Sequence, residues 1–355
     1  MKINFINVWR EKLPLTKPYT IAYKTITDTE LIFAEIILEN GITGLGSANP
    51  FPEVVDETSE ITVTNLQSDF IQNFKGRDIR TFQQLIDESA EHFPNCPGTL
   101  AAIDIALHDA FGKFIGIPVL DFYGKKIEAL PTSITIGIKN TDAMIVEAKG
   151  YHALGFRILK IKTGQNVEED IERVQKLKET FKDKFIIRVD ANQGYTVGDL
   201  KKFIAATKQN VELIEQPVKT GAEKSLHELN DEDKKILAAD ESLLNTKDAF
   251  SLSQPPLAFG IFNIKLMKCG GIRAAKEIAT IANQAGINLF WGCNDESIIS
   301  ITAALHAAYS CSNTKYLDLD GSFDISKDIV EGGFVLKDGY MHTNGLPGLG
   351  FKKLD

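Results

Sequence analysis

Cysteine is scarce in this sequence, long apolar runs are missing, and positive charge is in the minority. The four cysteines of 355 residues (Cys96, Cys269, Cys293 and Cys311) form no CxxC pair. That excludes a disulfide framework and a cysteine zinc site, and fits reduced thiols in a cytoplasmic protein. No stretch approaches the ~20 apolar residues that a membrane-spanning helix needs. The opening MKINFINVWREKLPL mixes charge with short apolar runs and lacks the apolar core and cleavage site of a secretion signal. Lys and Arg total 39 against 48 Asp and Glu, a formal charge of −9. That sign repels phosphate backbones and anionic surfaces, so neither nucleic acid nor a membrane is an expected partner. Low-complexity tracts and long linkers are absent too.

What is present is the composition of a globular protein, 43% hydrophobic and 25% charged. A single core rarely grows past about 250–300 residues, so two units are expected. Ile3–Lys12 and Thr29–Glu39 alternate like strands, and Asn40-Gly41 turns the second into Thr43–Gly46. Helical periodicity follows over 56–74, 81–92 and 99–114. From about Leu130 short β-rich runs alternate with amphipathic helices. The expected strands are 132–138, 156–162, 185–190, 211–215, 236–240, 260–265, 288–292 and 316–319. Alternation of this kind implies parallel strands with right-handed crossovers, and eight strands are the count of a closed barrel. The competing arrangement is an open doubly wound sheet, but no Gly-x-Gly-x-x-Gly follows the first strand to support it. The expected fold class is therefore α/β. Residues 1–128 form an α+β unit, 129–324 the barrel, and the Gly-rich tail from about 325 to 355 folds back on the first unit.

The strand ends carry charge in a repeated pattern. Lys160-Ile161-Lys162, Asp190, Glu215, Asp240 and Lys265 close successive strands, with 28 residues between Lys162 and Asp190 and 25 at each later step. One βα unit per step brings them all to the C-terminal mouth of a barrel. Three converging carboxylates need a cation. Hard oxygen ligands without His or Cys suit Mg²⁺, which can polarise a substrate carboxylate and stabilise the charge left when its α-proton is removed. Lys162 and Lys265 flank that centre on opposite sides, as two bases for two faces would, with Lys160 beside them lowering a lysine pKa. A lone strand-end charge is more often a turn residue; five in register are not.

These strings, with Asp190-Ala191-Asn192, Glu215-Gln216-Pro217, Ala239-Asp240-Glu241-Ser242 and Asn263 to Gly271, resemble the muconate-lactonising-enzyme subgroup of the enolase superfamily. The resemblance covers nearly the whole chain. It implies a capping domain completed by the C-terminal segment on a modified (β/α)₇β barrel. It also implies Mg²⁺ held by Asp190, Glu215 and Asp240, and Lys162 and Lys265 as the catalytic pair. The subgroup spans several activities. The string Tyr316-Leu317-Asp318-Leu319-Asp320-Gly321 is similar to the Asp-x-Asp with which its dipeptide epimerases hold a substrate α-ammonium; a buried ammonium requires such partners. On an extended strand Asp318 and Asp320 would point the same way. The implied substrate is a small dipeptide of the Ala-Xaa type. Lys160, Thr135 and Glu296 are further substrate-side candidates, Glu296 as a group orienting Lys265.

Specificity in this family comes from two cap loops, here 17–25 and 49–53. Lys24 stands where Ala-Glu epimerases carry an arginine, keeping charge but not the bidentate fork. Tyr19, Tyr23 and Phe51 offer an apolar lid instead, so an acidic and a small or apolar second residue both stay open. N-acylamino-acid racemase, o-succinylbenzoate synthase and a non-catalytic ligand-binding protein are the alternatives, and a homo-oligomer is left open.

Overall fold

The computed structural model describes residues 1–20 and 25–354. The chain begins with an antiparallel sheet, β1 (Ile3–Thr20), β2 (Thr25–Leu38) and β3 (Thr43–Ala48), in that spatial order. β1 runs on past the expected Lys12. The Pro14 carbonyl faces away from β2 and accepts from the Ser326 N–H, so the missing Pro14 N–H takes no bond from the β1–β2 ladder, whose register shifts between Pro14 and Tyr19. The expected helix over 56–74 is two short ones, Ser59–Leu66 and Asp69–Gln72. Between them the Ser68 hydroxyl donates to the Asn65 carbonyl at 2.6 Å, a local bond that competes with the helix ladder.

Helix α1 (Phe82–His92) is followed by α2 (Pro97–Ile115), which lies across β3. The approach is close enough to require glycine. A Cβ on Gly46 would stand 1.8 Å from the Ala102 carbonyl oxygen, and one on Gly44 2.3 Å from that of Ala106.

Eight parallel strands follow: β4 (Ile134–Ile136), β5 (Ile158–Lys162), β6 (Ile186–Asp190), β7 (Val211–Glu215), β8 (Leu237–Ala239), β9 (Ile261–Ile264), β10 (Asn288–Trp291) and β11 (Thr314–Leu317). Each pairs with its sequence neighbour, and the parallel bridge between Thr132 and Leu317 closes the ring. The crossovers include α3 (Thr141–Ala153), α4 (Val167–Phe181), α5 (Val197–Thr207), α6 (Thr246–Leu252), α7 (Ile272–Gln284) and α8 (Ile298–Tyr309). Their starts are written locally. Asn140, Asn166 and Ser297 accept from first-turn N–H groups, and Thr196 and Asn245 form reciprocal capping boxes with Asp199 and Asp248. On α4, Val167, Val174, Leu177 and Phe181 recur at helical spacing and bury one face.

Two buried carboxylates on α2 join the parts. Asp104 accepts from the Ile272 and Arg273 N–H groups at the start of α7, at 2.8 and 3.2 Å. Asp109 accepts from Leu45 N–H at 3.0 Å and Leu349 N–H at 2.9 Å. The tail forms β12 (Val330–Gly332), β13 (Phe334–Lys337), β14 (Tyr340–Thr343) and β15 (Phe351–Lys353). Lys353 reaches Glu35 of β2 at 2.8 Å, while β14 pairs with Leu130–Pro131 beside the barrel. Among the described residues no helix is long and apolar enough to cross a membrane.

Candidate active site

A strand that feeds a barrel core alternates inward and outward, so Lys160 and Lys162, Arg188 and Asp190, Leu213 and Glu215 fall in inward pairs. Parallel pairing sets their level. Lys162 lies opposite Asp190, and Asp190 opposite Glu215. Asp240 and Lys265 follow β8 and β9 directly. β5 and β9 are four strands apart in a ring of eight, which puts Lys162 and Lys265 on opposite sides of the mouth.

Each strand-end carboxylate meets a lysine. Lys162 Nζ is 2.6 Å from Asp190 Oδ2, and Lys265 Nζ 2.8 Å from Asp240 Oδ2. Lys160 Nζ lies 2.7 Å from Glu215 Oε2, 2.7 Å from Asp318 Oδ2 and 3.3 Å from Asp190 Oδ2. Burial alone would raise the Asp190 and Asp240 carboxyls; Lys162 and Lys160 at one, Lys265 and Lys268 at the other, outweigh it and hold both below the usual range. Glu215 is different. Burial, then the Asp190 charge, push it up to about 8. Glu241 rises to about 7 through burial and the charges of Asp240 and Asp190.

Six buried carboxylates (Asp190, Glu215, Asp240, Glu241, Asp318, Asp320) thus face four lysines (Lys160, Lys162, Lys265, Lys268). Glu241 Oε2 and Asn192 Oδ1 are buried without a hydrogen-bond partner among the described residues. An excess of hard anionic oxygen, part of it unsatisfied, fits a divalent cation held by Asp190, Glu215 and Asp240. As they stand, no three or more Asp, Glu, His or Cys side chains among the described residues are gathered closely enough to ligate one directly; the lysines occupy the space between them.

Several supporting side chains were not singled out from the sequence. Lys268 donates to Asp240 O at 2.7 Å, to Asn263 O at 3.0 Å and to Asp240 Oδ1. Asn263 Nδ2 donates to Glu215 Oε1 at 2.7 Å. Its place two residues before Lys265, on the same inward side, was the available signal. Gln216 Oε1 accepts from Asp240 N–H at 2.9 Å and Ser242 N–H at 3.1 Å, so the Glu-Gln-Pro string clamps the turn after β8. Arg188, fully inside the barrel, donates to Leu317 O at 2.6 Å and Glu212 Oε2 at 2.7 Å, with its guanidinium over the Phe290 and Tyr316 rings.

The Asp-x-Asp departs from its expected geometry. β11 stops at Leu317, and Asp320 has helical dihedrals, φ −94° and ψ −8°. The two side chains therefore diverge. Asp318 takes the Ser133 hydroxyl at 2.5 Å as well as Lys160. Asp320 accepts from the Thr135 N–H at 2.7 Å, with the Cys293 thiol at 3.9 Å. Burial, then the Asp318 charge, push Asp320 up to about 7.

One cavity of about 320 Å³ gathers Thr135, Lys160, Lys162, Asp240, Lys265, Asp318 and Asp320. Asp190 and Glu215 lie behind the first two lysines. Glu296 is buried outside this lining; it accepts from Asn294 N–H at 2.8 Å, its carboxyl is pushed up to about 7 by burial, and it meets Lys265 through charge rather than a hydrogen bond. The expected role in orienting Lys265 has no hydrogen bond to support it. Lys24 and Tyr23 lie outside the described residues, as does the side chain of Tyr19; Phe51 lines the cavity. The cap meets the mouth where Asn49 Nδ2 donates to Asp295 O at 2.5 Å and Thr29 Oγ1 to the same atom at 3.1 Å.

Residues 5–124 match the mandelate racemase / muconate lactonizing enzyme N-terminal domain, and residues 143–353 match the enolase C-terminal domain-like family. An L-Lys-D/L-Arg epimerase of Desulforapulum autotrophicum is 50% identical over 354 residues, all of both chains. The crystal structure of a dipeptide epimerase from Methylococcus capsulatus complexed with Mg and the dipeptide L-Arg-D-Lys is 47% identical, covers 99% of each chain and has a TM-score of 0.97. A dipeptide epimerase from Enterococcus faecalis complexed with Mg and L-Leu-L-Tyr is 33% identical, covers 99% of this chain and 100% of its own, and has a TM-score of 0.90. The chain belongs to the mandelate racemase / muconate lactonizing enzyme family of the enolase superfamily and, within it, to the dipeptide and amino-acid epimerases, which are isomerases.

Proposed function

We propose that this chain epimerises dipeptides with cationic side chains, inverting the α-carbon of the C-terminal residue by proton transfer between Lys162 and Lys265. The observation that carries the substrate class is the charge of the cavity wall above the strand ends. Asp28, Glu30 and Asp295 line it on the cap side, and Glu147, Asp320 and Asp324 on the side of β4 and β11. Among the described residues the one basic side chain on that wall is Lys139. A lysine or arginine side chain entering there meets carboxylates, whereas a glutamate would be repelled. The Ala-Xaa dipeptide expected from the sequence fits the same chemistry but leaves this wall without a role. The relatives named for lysine and arginine substrates support the same reading.

The chemistry follows from the opposed amines. One lysine must be neutral to take the α-proton while the other, still protonated, returns one from the far side. Lys265 is held well above its ordinary range; burial lowers it, but Asp240 and Glu215 outweigh burial. Asp190, Glu215 and Asp240 would hold Mg²⁺, which bound there would supply positive charge for the substrate carboxylate. Lys160, buried at the centre, donates to the same carboxylate. Asp320 takes the α-ammonium, because it is held by the neutral Thr135 N–H and Cys293 thiol while Asp318 is committed to Lys160. A library of dipeptides, including Arg-Lys, Lys-Arg, Ala-Glu and Leu-Tyr, assayed for α-proton exchange in D₂O tests the reading. Lys- and Arg-containing members should have the highest kcat/KM; a preference for Ala-Glu would refute it.

A further inference from the structure

We propose that the Lys139–Glu147 ion pair selects the first residue of the dipeptide, with Lys139 as a built-in counter-ion that a cationic first side chain displaces from Glu147. The inference rests on the function proposed above and deepens it to one residue pair.

The substrate's path locates the pair. The reacting carbon lies between Lys162 and Lys265, and the α-ammonium lies at Asp320. Asp320 is fastened to Thr135 at the end of β4, and the cavity wall continues from there through Gly137 and Lys139 to Glu147 and Tyr151 on α3. The first residue therefore projects its side chain along the β4–α3 wall. The second residue faces the cap side, where Asn49 and Asp295 meet.

The wall ends in a defined acceptor. Glu147 and Tyr151 stand one turn apart on α3, and the Tyr151 hydroxyl donates to Glu147 Oε1 at 3.1 Å. Lys139 Nζ donates to the other oxygen, Oε2. Tyr151 also feels the charges of Asp324 and Asp320, which puts this corner and the ammonium site within electrostatic reach of one another. The Lys139 carbonyl accepts from Arg173, at 3.4 Å, so its backbone is held independently of its ammonium's bond to Glu147. The lysine and glutamate side chains are 31% and 18% exposed. An ion pair that wet contributes little net stability, so exchanging its cation is close to neutral. An arginine side chain adds a planar fork that a single ammonium lacks. A neutral first residue leaves Lys139 in place. Glu147 thus discriminates by which cation it holds, and the protein carries its own competitor.

The test is the ratio of kcat/KM for Arg-Xaa over Ala-Xaa, with the same second residue, in the wild type and three variants. Lys139→Met should raise that ratio about three- to tenfold over wild type, mostly through KM, since repulsion and competition both vanish. Glu147→Gln should lower it by a similar factor. Lys139→Arg should return it to the wild-type value, which a merely structural lysine would not require. Ratios that stay constant, or that move the same way in both variants, overturn the assignment. If the wild type itself prefers Ala-Xaa, the function proposed above falls, and this inference with it; that outcome is seen before any variant is made. Melting curves that match the wild type keep a folding defect from imitating either result.

Discussion

Replacing Asp320 with asparagine removes one charge and almost no volume. The side chain is buried, and the oxygen that accepts from the Thr135 N–H at 2.7 Å survives in the amide. The fold should therefore be unaffected, and the loss should appear where an ammonium arrives. Leaving one member of a buried charge pair without its partner costs about 2–5 kcal/mol, or about 30-fold to several thousand-fold in kcat/KM. That penalty should fall on a dipeptide with a free α-ammonium and largely spare its N-acetylated form, which carries no charge there. Polarimetry, or deuterium incorporation followed by NMR, measures both substrates on one enzyme preparation. Asp318→Asn is the contrast. Asp318 holds Lys160 at 2.7 Å and Ser133 at 2.5 Å, so that change should impair both substrates alike. Equal losses for the two substrates in Asp320→Asn would refute the ammonium assignment.

Three other outcomes follow from the same geometry. Lys162→Ala and Lys265→Ala should each abolish epimerisation while retaining α-proton exchange from opposite substrate epimers; exchange of the same epimer by both would refute the two-face arrangement. Glu215→Gln should weaken Mg²⁺ binding in calorimetry at least tenfold while preserving the melting temperature within a few degrees, and unchanged affinity would remove Glu215 from the ligand set. His306, buried on α8, accepts from Leu120 N–H at 3.1 Å and is pushed down to about 3 by burial. The unfolded chain takes up that proton near pH ~6.5, so between there and about pH 3 it binds more protons than the folded one. Stability should fall with falling pH across that window, by at most about 1.4 kcal/mol per unit. Urea denaturation at pH 7 and pH 5 should show a smaller drop for His306→Asn; an identical drop would refute it.

The barrel was legible because its signals are local. Each strand is short and apolar, the five from β5 to β9 are closed by a charge, and the 25-residue spacing carries the register that puts Asp190 beside Glu215. The double break around Ser68 and the run of β1 past Pro14 were not legible. Both depend on bonds that periodicity does not see. The Asp-x-Asp misled in its geometry for a related reason. Period-two reasoning holds while a strand lasts, and this one ends one residue before Asp318. The substrate class was hidden more deeply. Asp28, Glu30, Glu147, Asp295 and Asp324 come from separate parts of the chain, and only the folded cap brings them around one cavity. Within the single string Asn263 to Gly271, Lys268 was in view, yet nothing in its spacing distinguished a lysine that grips Asp240 from one that faces water.

The Asp109 carboxylate also sets an order of events during synthesis. It sits on α2 and takes the N–H of Leu349, which the ribosome adds 240 residues later. At about 5–20 residues per second, the carboxylate waits some 10–50 s for its last donor. Over that interval the face of α2 that the tail will cover is bare, while the barrel strands emerge one after another. The helix α2 is therefore made before the barrel and finished after it. A nascent chain stalled or clipped before Leu349 would leave Asp109 buried in the cap without that donor.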